Sequence, residues 1–301
     1  MDQIALGMQL PVQAQSTLMA ESWESGAGPD ELGRVAQACE EHGFDYVSVC
    51  DHVAIPRALA PRMTTTWYDT VATLAWLAAR TERVRLLSSV YIISYRHPLQ
   101  TAKAFSTLDA LSGGRAILGV GAGHVEAEFG VLGVPFGQRG RLTNDGIRAI
   151  RAAFADEWGA GEFGQSPRPS QPGGPPIWVG GSSPAALRRA AELGDGWLPQ
   201  GPPAQGMAGA IEEIHRRREA AGRGAAPFAM GGGIRLYVGK PEWDLGEGCL
   251  AGEPDVLADH VRDLAGIGVT HLQVRLRSRS CSELTDQIAA FAQEVVPLVR
   301  G

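Results

Sequence analysis

An aspartate and a histidine, Asp51 and His52, directly follow an apolar, β-prone segment at residues 45–50. An imidazole titrates near neutral pH and a carboxylate can orient it, so the two residues could act together as a general acid and base. Adjacent side chains on an extended strand point in opposite directions, so both serve one site only if the strand has already ended. The alternative is structural: an aspartate that caps a strand-to-helix turn and a histidine on the surface.

Two glycine-rich stretches could bind a ligand through the backbone. The stretch GGSSP at residues 180–184 opens a predicted helix, where unpaired N–H groups attract an anion such as a phosphate. A capped helix that needs no ligand has the same pattern. The stretch GVGAGH at residues 119–124 is not a dinucleotide-binding fingerprint, because GxGxxG requires glycine where His124 stands. Taken alone, it is typical of a tight turn.

The spacing of possible ligands does not favour a metal site. The sequence has no HxH on the first predicted strand, no HExxH and no tight carboxylate cluster. Its four cysteines (Cys39, Cys50, Cys249 and Cys281) form no CxxC pair and have no histidine at zinc-ligand spacing. We therefore expect buried, reduced thiols, which indicate the cytoplasm.

Eight short apolar segments alternate with amphipathic helices along the chain. Most lack period-2 alternation, which is typical of strands that are buried on both faces of a parallel sheet. Eight strands, each followed by a helix, predict a (β/α)8 TIM barrel of the α/β class; the main alternative is an open doubly wound sheet. The predicted strands are residues 4–9, 45–50, 84–93, 115–120, 176–180, 196–199, 233–238 and 270–276.

Local signals predict the ends of four helices, because Ser, Asp and Pro are common at N-termini and Gly is common just past C-termini. The predicted starts are Asp30, His97-Pro98, Ser183-Pro184 and Ser282, and the predicted stops are Gly43, Gly113-Gly114 and Gly194.

We expect one domain spanning residues 1–301, with its surplus length at about residues 124–175, after the fourth strand. This segment contains a predicted helix at residues 142–154 and then a Gly/Pro-rich tract. We interpret it as an insertion over the barrel mouth rather than a linker. Active sites of such barrels are built at the C-terminal ends of the strands. Gln9, Asp51, His52, the two glycine-rich stretches and Arg275 would therefore meet at one mouth.

Composition narrows the range of partners. The 301 residues are 44% hydrophobic and 20% charged, with a net charge of −6. Nucleic acids and anionic membranes select basic surfaces, so neither is an expected partner. No apolar run approaches the ~20 residues that a membrane span needs. The first 13 residues lack a basic region followed by a long apolar stretch, so we expect no signal peptide.

Three stretches together resemble the bacterial luciferase-like monooxygenase superfamily, and within it the coenzyme F420-dependent oxidoreductases. They are SVCDHV at residues 48–53 and the blocks at residues 81–141 and 175–199. The resemblance implies a (β/α)8 barrel, in agreement with the strand count, and hydride transfer between the deazaflavin F420 and a small organic substrate. The alternative is an FMN-dependent monooxygenase that uses O2 and a partner flavin reductase. Members are often homodimers.

The resemblance also implies roles for single residues. Asp51 and His52 match an Asp-His pair whose histidine faces the reactive carbon of the ring and donates or accepts a proton. We take His124 as a second candidate for that proton. Ser89 and Val90 match a strand bulge with a non-proline cis peptide bond that backs the ring. The other implied cofactor contacts are Asp51 and the backbone of Gly121, Ala122, Gly123 and His124 along the ring, and of Gly180, Gly181 and Ser182 at the phosphate.

Two positions depart from the sugar-phosphate dehydrogenase branch of that superfamily. His124 stands where the branch carries a glutamate after the glycine-rich turn, and Pro56 replaces an aromatic residue four places beyond His52. Both departures argue against a sugar-phosphate substrate. Trp67, Trp178 and Trp197 are candidates for the pocket walls or, alternatively, for the core.

Overall fold

A closed barrel of parallel strands forms the centre of the protein in a computed structural model that describes residues 4–17 and 19–300. The strands are β1 (Ala5–Gln9), β2 (Tyr46–Val49), β3 (Arg85–Ser88), β4 (Tyr91–Ile92), β5 (Ala116–Gly121), β6 (Ile177–Gly180), β7 (Gly196–Leu198), β8 (Ala229–Val238), β9 (Leu250–Gly252) and β10 (His271–Leu276).

The barrel has eight staves, because β3 and β4 form one interrupted stave and β9 lies outside the ring. Both β3 and β4 pair with β5, and β9 pairs only with the end of β8. The order around the ring is β1, β2, β3/β4, β5, β6, β7, β8 and β10, and β10 pairs with both β8 and β1 to close it. This closure confirms the predicted TIM barrel over the open doubly wound sheet.

Helices surround the barrel and connect its strands. The α-helices are α1 (Pro29–Glu41), α2 (Ala60–Met63), α3 (Thr70–Ala78), α4 (Pro98–Leu111), α5 (Glu126–Val131), α6 (Arg139–Ala155), α7 (Pro184–Leu193), α8 (Gly206–Ala220), α9 (Pro254–Gly266), α10 (Cys281–Ala290) and α11 (Val296–Arg300). Short 3-10 turns cover Ser22–Gly26, Ile93–Tyr95 and Phe136–Gln138, and a π-helical turn covers Phe291–Val295.

Two of the four predicted helix starts are confirmed. The side chains of His97 and Ser183 cap α4 and α7 by accepting hydrogen bonds from backbone amides, and proline occupies the first turn of each helix. The predicted stops are also found. Gly43, Gly113 and Gly114 have positive φ just past helix ends, and Gly194 is the C-cap of α7.

The other two predicted caps were wrong. Asp30 lies inside the first turn of α1, because Pro29 already occupies the first helical position and Gly28 is the N-cap. The last predicted cap, Ser282, lies inside α10, because the hydroxyl of Ser280 accepts the hydrogen bond from the amide of Glu283.

Apolar side chains fill the inside of the barrel as well as the space between barrel and helices. The rings of Tyr46 and Trp178 meet edge to face inside the barrel, with centroids 5.5 Å apart. Leu87, Ile117 and Leu198 pack around them. The barrel is therefore a packed core rather than a pore, and space for a ligand lies at the ends of the strands.

The segment between the fourth and fifth staves reaches both ends of the barrel. Residues near the start of α6 lie at the mouth, and α6 then packs outside the barrel between α4 and α7. The Gly/Pro-rich tract begins beside the first half of α4, where Gln165 donates to the carbonyl of Leu99. It ends at the opposite end of the barrel, where the side-chain amide of Gln171 donates to Asp109 and to the carbonyl of Ala116 at the start of β5. Part of the segment at residues 124–175 thus lies at the mouth, and the rest returns the chain to the start of β6; an insertion over the mouth stays a prediction.

Among the described residues, every helix is too short or too polar to be a membrane-spanning segment. Residues 4–17 and 19–300 contain no group of three or more His, Cys, Asp or Glu side chains placed to hold a metal ion. All four cysteines are free thiols, as predicted; Cys39 and Cys281 are buried, whereas Cys50 and Cys249 are only half-buried. That residues 1–301 form a single domain stays a prediction. Met1–Gln3, Leu18 and Gly301 lie outside the described residues. The prediction about a signal peptide falls partly on Met1–Gln3.

Candidate active site

A cavity of about 1140 Å³ opens at the C-terminal ends of the barrel strands. Sites for small ligands usually occupy roughly 300–1,000 Å³, so this cavity has room for a cofactor and a substrate together. All of the predicted site residues line it, because the carboxyl ends of parallel staves meet at one mouth. They are Asp51, His52, Ser89, Val90, Gly121, Ala122, Gly123, His124, Gly180, Gly181 and Ser182.

His52 is bound by a glutamate that sequence analysis missed. Its Nδ1 lies 2.9 Å from Oε2 of Glu128, in α5. The same carboxylate accepts hydrogen bonds from the amides of Val53 (2.5 Å) and Ala54 (3.1 Å) and from the hydroxyl of Tyr95 (2.8 Å). Burial by itself raises the pKa of Glu128, but these hydrogen bonds outweigh it and lower the pKa to about 2. Glu128 is therefore a carboxylate at neutral pH.

The contact with Glu128 determines how His52 can exchange a proton. Because Nδ1 is engaged by the carboxylate, Nε2 is the ring nitrogen that remains for a substrate. The Trp67 ring meets the imidazole at an angle of 68°, with centroids 4.4 Å apart, and limits its rotation. Of the two alternatives for the tryptophans, Trp67 lines the cavity, whereas Trp178 and Trp197 are buried in the core.

The sequence carries only a weak signal for Glu128. Glu126 and Glu128 lie in one short helix, and 76 residues separate Glu128 from His52. The adjacent Phe129 is apolar and buried, which indicates the inner face of α5. That pattern does not show which element the inner face meets.

Asp51 binds an arginine rather than the neighbouring imidazole. Its two oxygens accept hydrogen bonds from Arg96 at 2.7 and 2.9 Å, and Oδ2 also accepts from the amide of Ile92 at 2.8 Å. Burial lowers the pKa of Arg96, but the bonded carboxylate more than offsets this effect and raises it overall. The guanidinium also lies 4.0 Å from the centre of the Tyr91 ring. Asp51 thus joins β2 to the β4 region, and the orientation of His52 depends on Glu128 instead.

His124 is the second titratable group beside the imidazole of His52. The two rings are nearly perpendicular, with centroids 5.7 Å apart. Partial burial and the neighbouring His52 lower the pKa of His124, although Glu128 acts in the opposite direction. The surroundings of His124 therefore favour its neutral form, and its role as a proton carrier stays a prediction.

Two glycines pack closely against Val90 at one face of the cavity. The Ser89–Val90 peptide bond is cis, as the resemblance implied. A Cβ atom at Gly121 or at Gly180 would lie 2.5 Å from a methyl carbon of Val90. Only glycine therefore fits at either position while Val90 keeps its place.

We expect Gly121→Ala to lower the free energy of unfolding by about 1–3 kcal/mol, because the new methyl group must displace Val90. Urea denaturation measures this change. In a Val90→Ala background, where the obstructing methyl groups are absent, the same glycine substitution should cost much less. Equal costs in the two backgrounds would contradict the assigned contact.

The predicted phosphate-binding turn after β6 offers fewer donors than expected. The amide of Gly181 donates to the carbonyl of Leu198 at 3.0 Å, so it does not face a ligand. The hydroxyl of Ser182 donates to the carbonyl of Gly201 at 2.6 Å. The amides of Ser182 and Ser183, at the start of α7, remain as donors for an anion. The difference arises because β7 lies alongside this turn and binds its first amide.

Comparison with known proteins identifies the family. Residues 4–247 match the family of luciferase-like monooxygenases. The chain belongs to the luciferase-like monooxygenase family. This membership confirms the resemblance on which the cofactor assignments depend, and the observed barrel is the fold that it implied.

One relative of this luciferase-like protein is an F420-dependent glucose-6-phosphate dehydrogenase from Nakamurella multipartita. It is 35% identical over 186 residues, which are 57% of this chain and 52% of the relative. The chain therefore aligns with about half of that enzyme.

Two solved structures share the fold of this luciferase-like protein. The monooxygenase RslO1 from Streptomyces bottropensis has a TM-score of 0.79 at 23% identity, covering 98% of this chain and 99% of the other. The coenzyme F420-dependent tetrahydromethanopterin reductase from Methanopyrus kandleri has a TM-score of 0.74 at 20% identity, with the same coverage. At these identities the likeness concerns the fold.

The cavity of this luciferase-like barrel fits a flavin-type cofactor. Gly121 and Gly180, which line the cavity beside Val90, carry no side chain, and this suits the close approach of a planar ring to the backbone. The amides of Ser182 and Ser183 suit a phosphate at the edge of the same cavity.

Proposed function

We propose that the protein is an F420-dependent oxidoreductase that transfers a hydride between the deazaflavin and a small organic substrate. The observation that carries this proposal is the imidazole of His52, which an ionised Glu128 binds through Nδ1 in a cavity that can hold cofactor and substrate. The F420-dependent relative supports the choice of cofactor.

The residues of the chain have separate tasks in this proposal. When bound, the deazaflavin supplies or accepts the hydride. Ser89, Val90 and the 121–124 turn hold the ring, and the amides of Ser182 and Ser183 hold the phosphate. His52 accepts a proton at Nε2 when a substrate hydroxyl is oxidised and donates it in the reverse direction. The Glu128 carboxylate stabilises the imidazolium that forms.

The second candidate is an FMN-dependent monooxygenase that uses O2 and a partner flavin reductase, and the shared fold with a monooxygenase supports it. Fluorescence titration of the purified protein with oxidised F420 and with FMN separates the two candidates. We expect F420 to bind at least about ten-fold more tightly, a difference of about 1.4 kcal/mol. Tight binding of FMN without binding of F420 would overturn the first proposal.

A homodimer in the cytoplasm completes the proposal, because family members are often dimers and the four thiols are free. Light scattering of the purified protein tests the dimer directly.

A further inference from the structure

Two arginines stand side by side on one wall of the cavity. Arg235 in β8 and Arg275 in β10 are register partners on neighbouring parallel strands, so their backbones are about 4.8 Å apart. Both side chains line the cavity. Within the described part of the chain, neither guanidinium forms a hydrogen bond or an ion pair.

The nearby carboxylates are engaged elsewhere. Glu24 acts on Arg275 through its charge, but its oxygens accept hydrogen bonds from the amides of Val12 and Glu21, each at 2.7 Å. The carboxylate of Glu21 is paired with Arg277. Burial lowers the pKa of Arg275, the charge of Glu24 acts in the opposite direction, and the like charge of Arg235 lowers it further. Two adjacent, partly desolvated cations are unfavourable unless an anion lies between them.

The arginine pair lies across the mouth from the face assigned to the ring. In the order of the eight staves, β8 is four places from β3/β4, and β10 is four places from β5. The Ser89–Val90 bulge and the turn that follows β5 therefore face the arginines across the cavity. The turn after β6 is two staves from β8 and three from β10, so the proposed phosphate site and the arginine pair lie at different places around the mouth.

We propose that Arg235 and Arg275 bind an oxyanion group of the substrate, a carboxylate or a phosphate, an inference that rests on the proposed function. Guanidinium groups bind such anions through two parallel hydrogen bonds, so a pair of them fixes both position and orientation. An anion held at this wall directs the rest of the substrate across the cavity, toward the ring face and His52.

The test compares acids with neutral analogues on the F420-loaded protein. Isothermal titration measures the affinity for each acid and for its neutral partner. The pairs are benzoate and benzamide, lactate and lactamide, and phenyl phosphate and phenol. The ratio of the two affinities in each pair is the preference for the acid. We expect at least one acid to bind ten-fold or more tightly than its neutral partner, and the better anion distinguishes carboxylate from phosphate. Arg235→Gln and Arg275→Gln should each reduce that preference about ten-fold, since each removes a charge-assisted pair of hydrogen bonds.

Arg148→Gln is the matched control, because Arg148 is an exposed arginine of α6 outside the cavity and the substitution removes the same charge. It should leave the preference unchanged. Arg275→Lys should retain part of the preference, since it keeps the charge without the planar fork. The inference is wrong if no acid is preferred, or if the preference survives in both glutamine variants.

Two further measurements separate the possible failures. F420 binding is titrated on the same samples, and the acid preference is also measured without F420. If the unaltered protein does not bind F420, the proposed function is wrong. The preference for an acid that is measured without F420 tests the arginine pair by itself. The glutamine variants should unfold at the same or a higher temperature, because like-charge repulsion is relieved. A lower unfolding temperature would indicate a structural role and count against the inference.

Discussion

Replacing His52 with glutamine is expected to lower kcat by about 10²–10⁴-fold, the usual contribution of a positioned acid or base. The affinity for F420 should remain nearly unchanged, because the proposal assigns the ring to the backbone around Val90 and Gly121 rather than to the imidazole. Steady-state kinetics with reduced or oxidised F420, together with a binding titration, measure the two quantities separately.

His215→Gln is the control for this prediction, since His215 lies exposed on α8 and does not line the cavity. A second variant, His52→Ala, should recover part of its lost turnover when free imidazole is added, because the added base can occupy the vacated position. Undiminished turnover in His52→Gln would remove His52 from the reaction. Loss of F420 binding in that variant would instead assign the imidazole to the cofactor site.

Replacing Glu128 with glutamine is expected to lower the free energy of unfolding at pH 7 by about 3 kcal/mol. This value follows from a pKa of about 2 in the folded protein against an ordinary value of 4.5. Glutamine resembles the protonated carboxyl group, so it lacks the charge-assisted bonds to His52, Tyr95 and the two backbone amides. It should also lower kcat by at least about ten-fold, because Nδ1 of His52 loses the anion that orients the ring.

The stabilisation by Glu128 depends on pH in a defined direction. Its pKa is lower in the folded protein than in the unfolded chain, so the stabilisation is complete above pH 4.5 and is lost as the pH falls toward 2. The difference in unfolding free energy between the unaltered protein and Glu128→Gln should therefore shrink on acidification below pH 4.5. Denaturant titrations between pH 3 and pH 7 measure this difference.

Glu126→Gln tests whether the effect belongs to Glu128 itself. Glu126 lies in the same helix, two residues away, and is exposed. Its substitution should change neither the stability nor its pH dependence. A stability difference for Glu128→Gln that stays constant between pH 3 and pH 7 would refute the depressed pKa.

The amino-acid sequence by itself determined the barrel fold and which residues lie at its mouth. Continuous apolar runs predict buried parallel strands, and eight of them followed by helices predict a closed barrel. Because parallel staves present their carboxyl ends at one mouth, residues such as His52, Val90, Gly121 and Gly180 could be assigned to one cavity without knowledge of their contacts. Local capping signals also placed His97 and Ser183 correctly, since a cap depends only on its neighbours in the chain.

Only the tertiary structure decided which of these groups bind one another. Asp51 is adjacent to His52 in sequence, yet it binds Arg96, while Glu128 reaches the imidazole from a helix that follows another strand. The amide of Gly181 is bound by β7, and Arg235 and Arg275 become neighbours through the register of β8 and β10. Strand periodicity determines which face of a strand is buried, but pairing partners depend on register and on the placement of helices. A local sequence pattern contains neither of these.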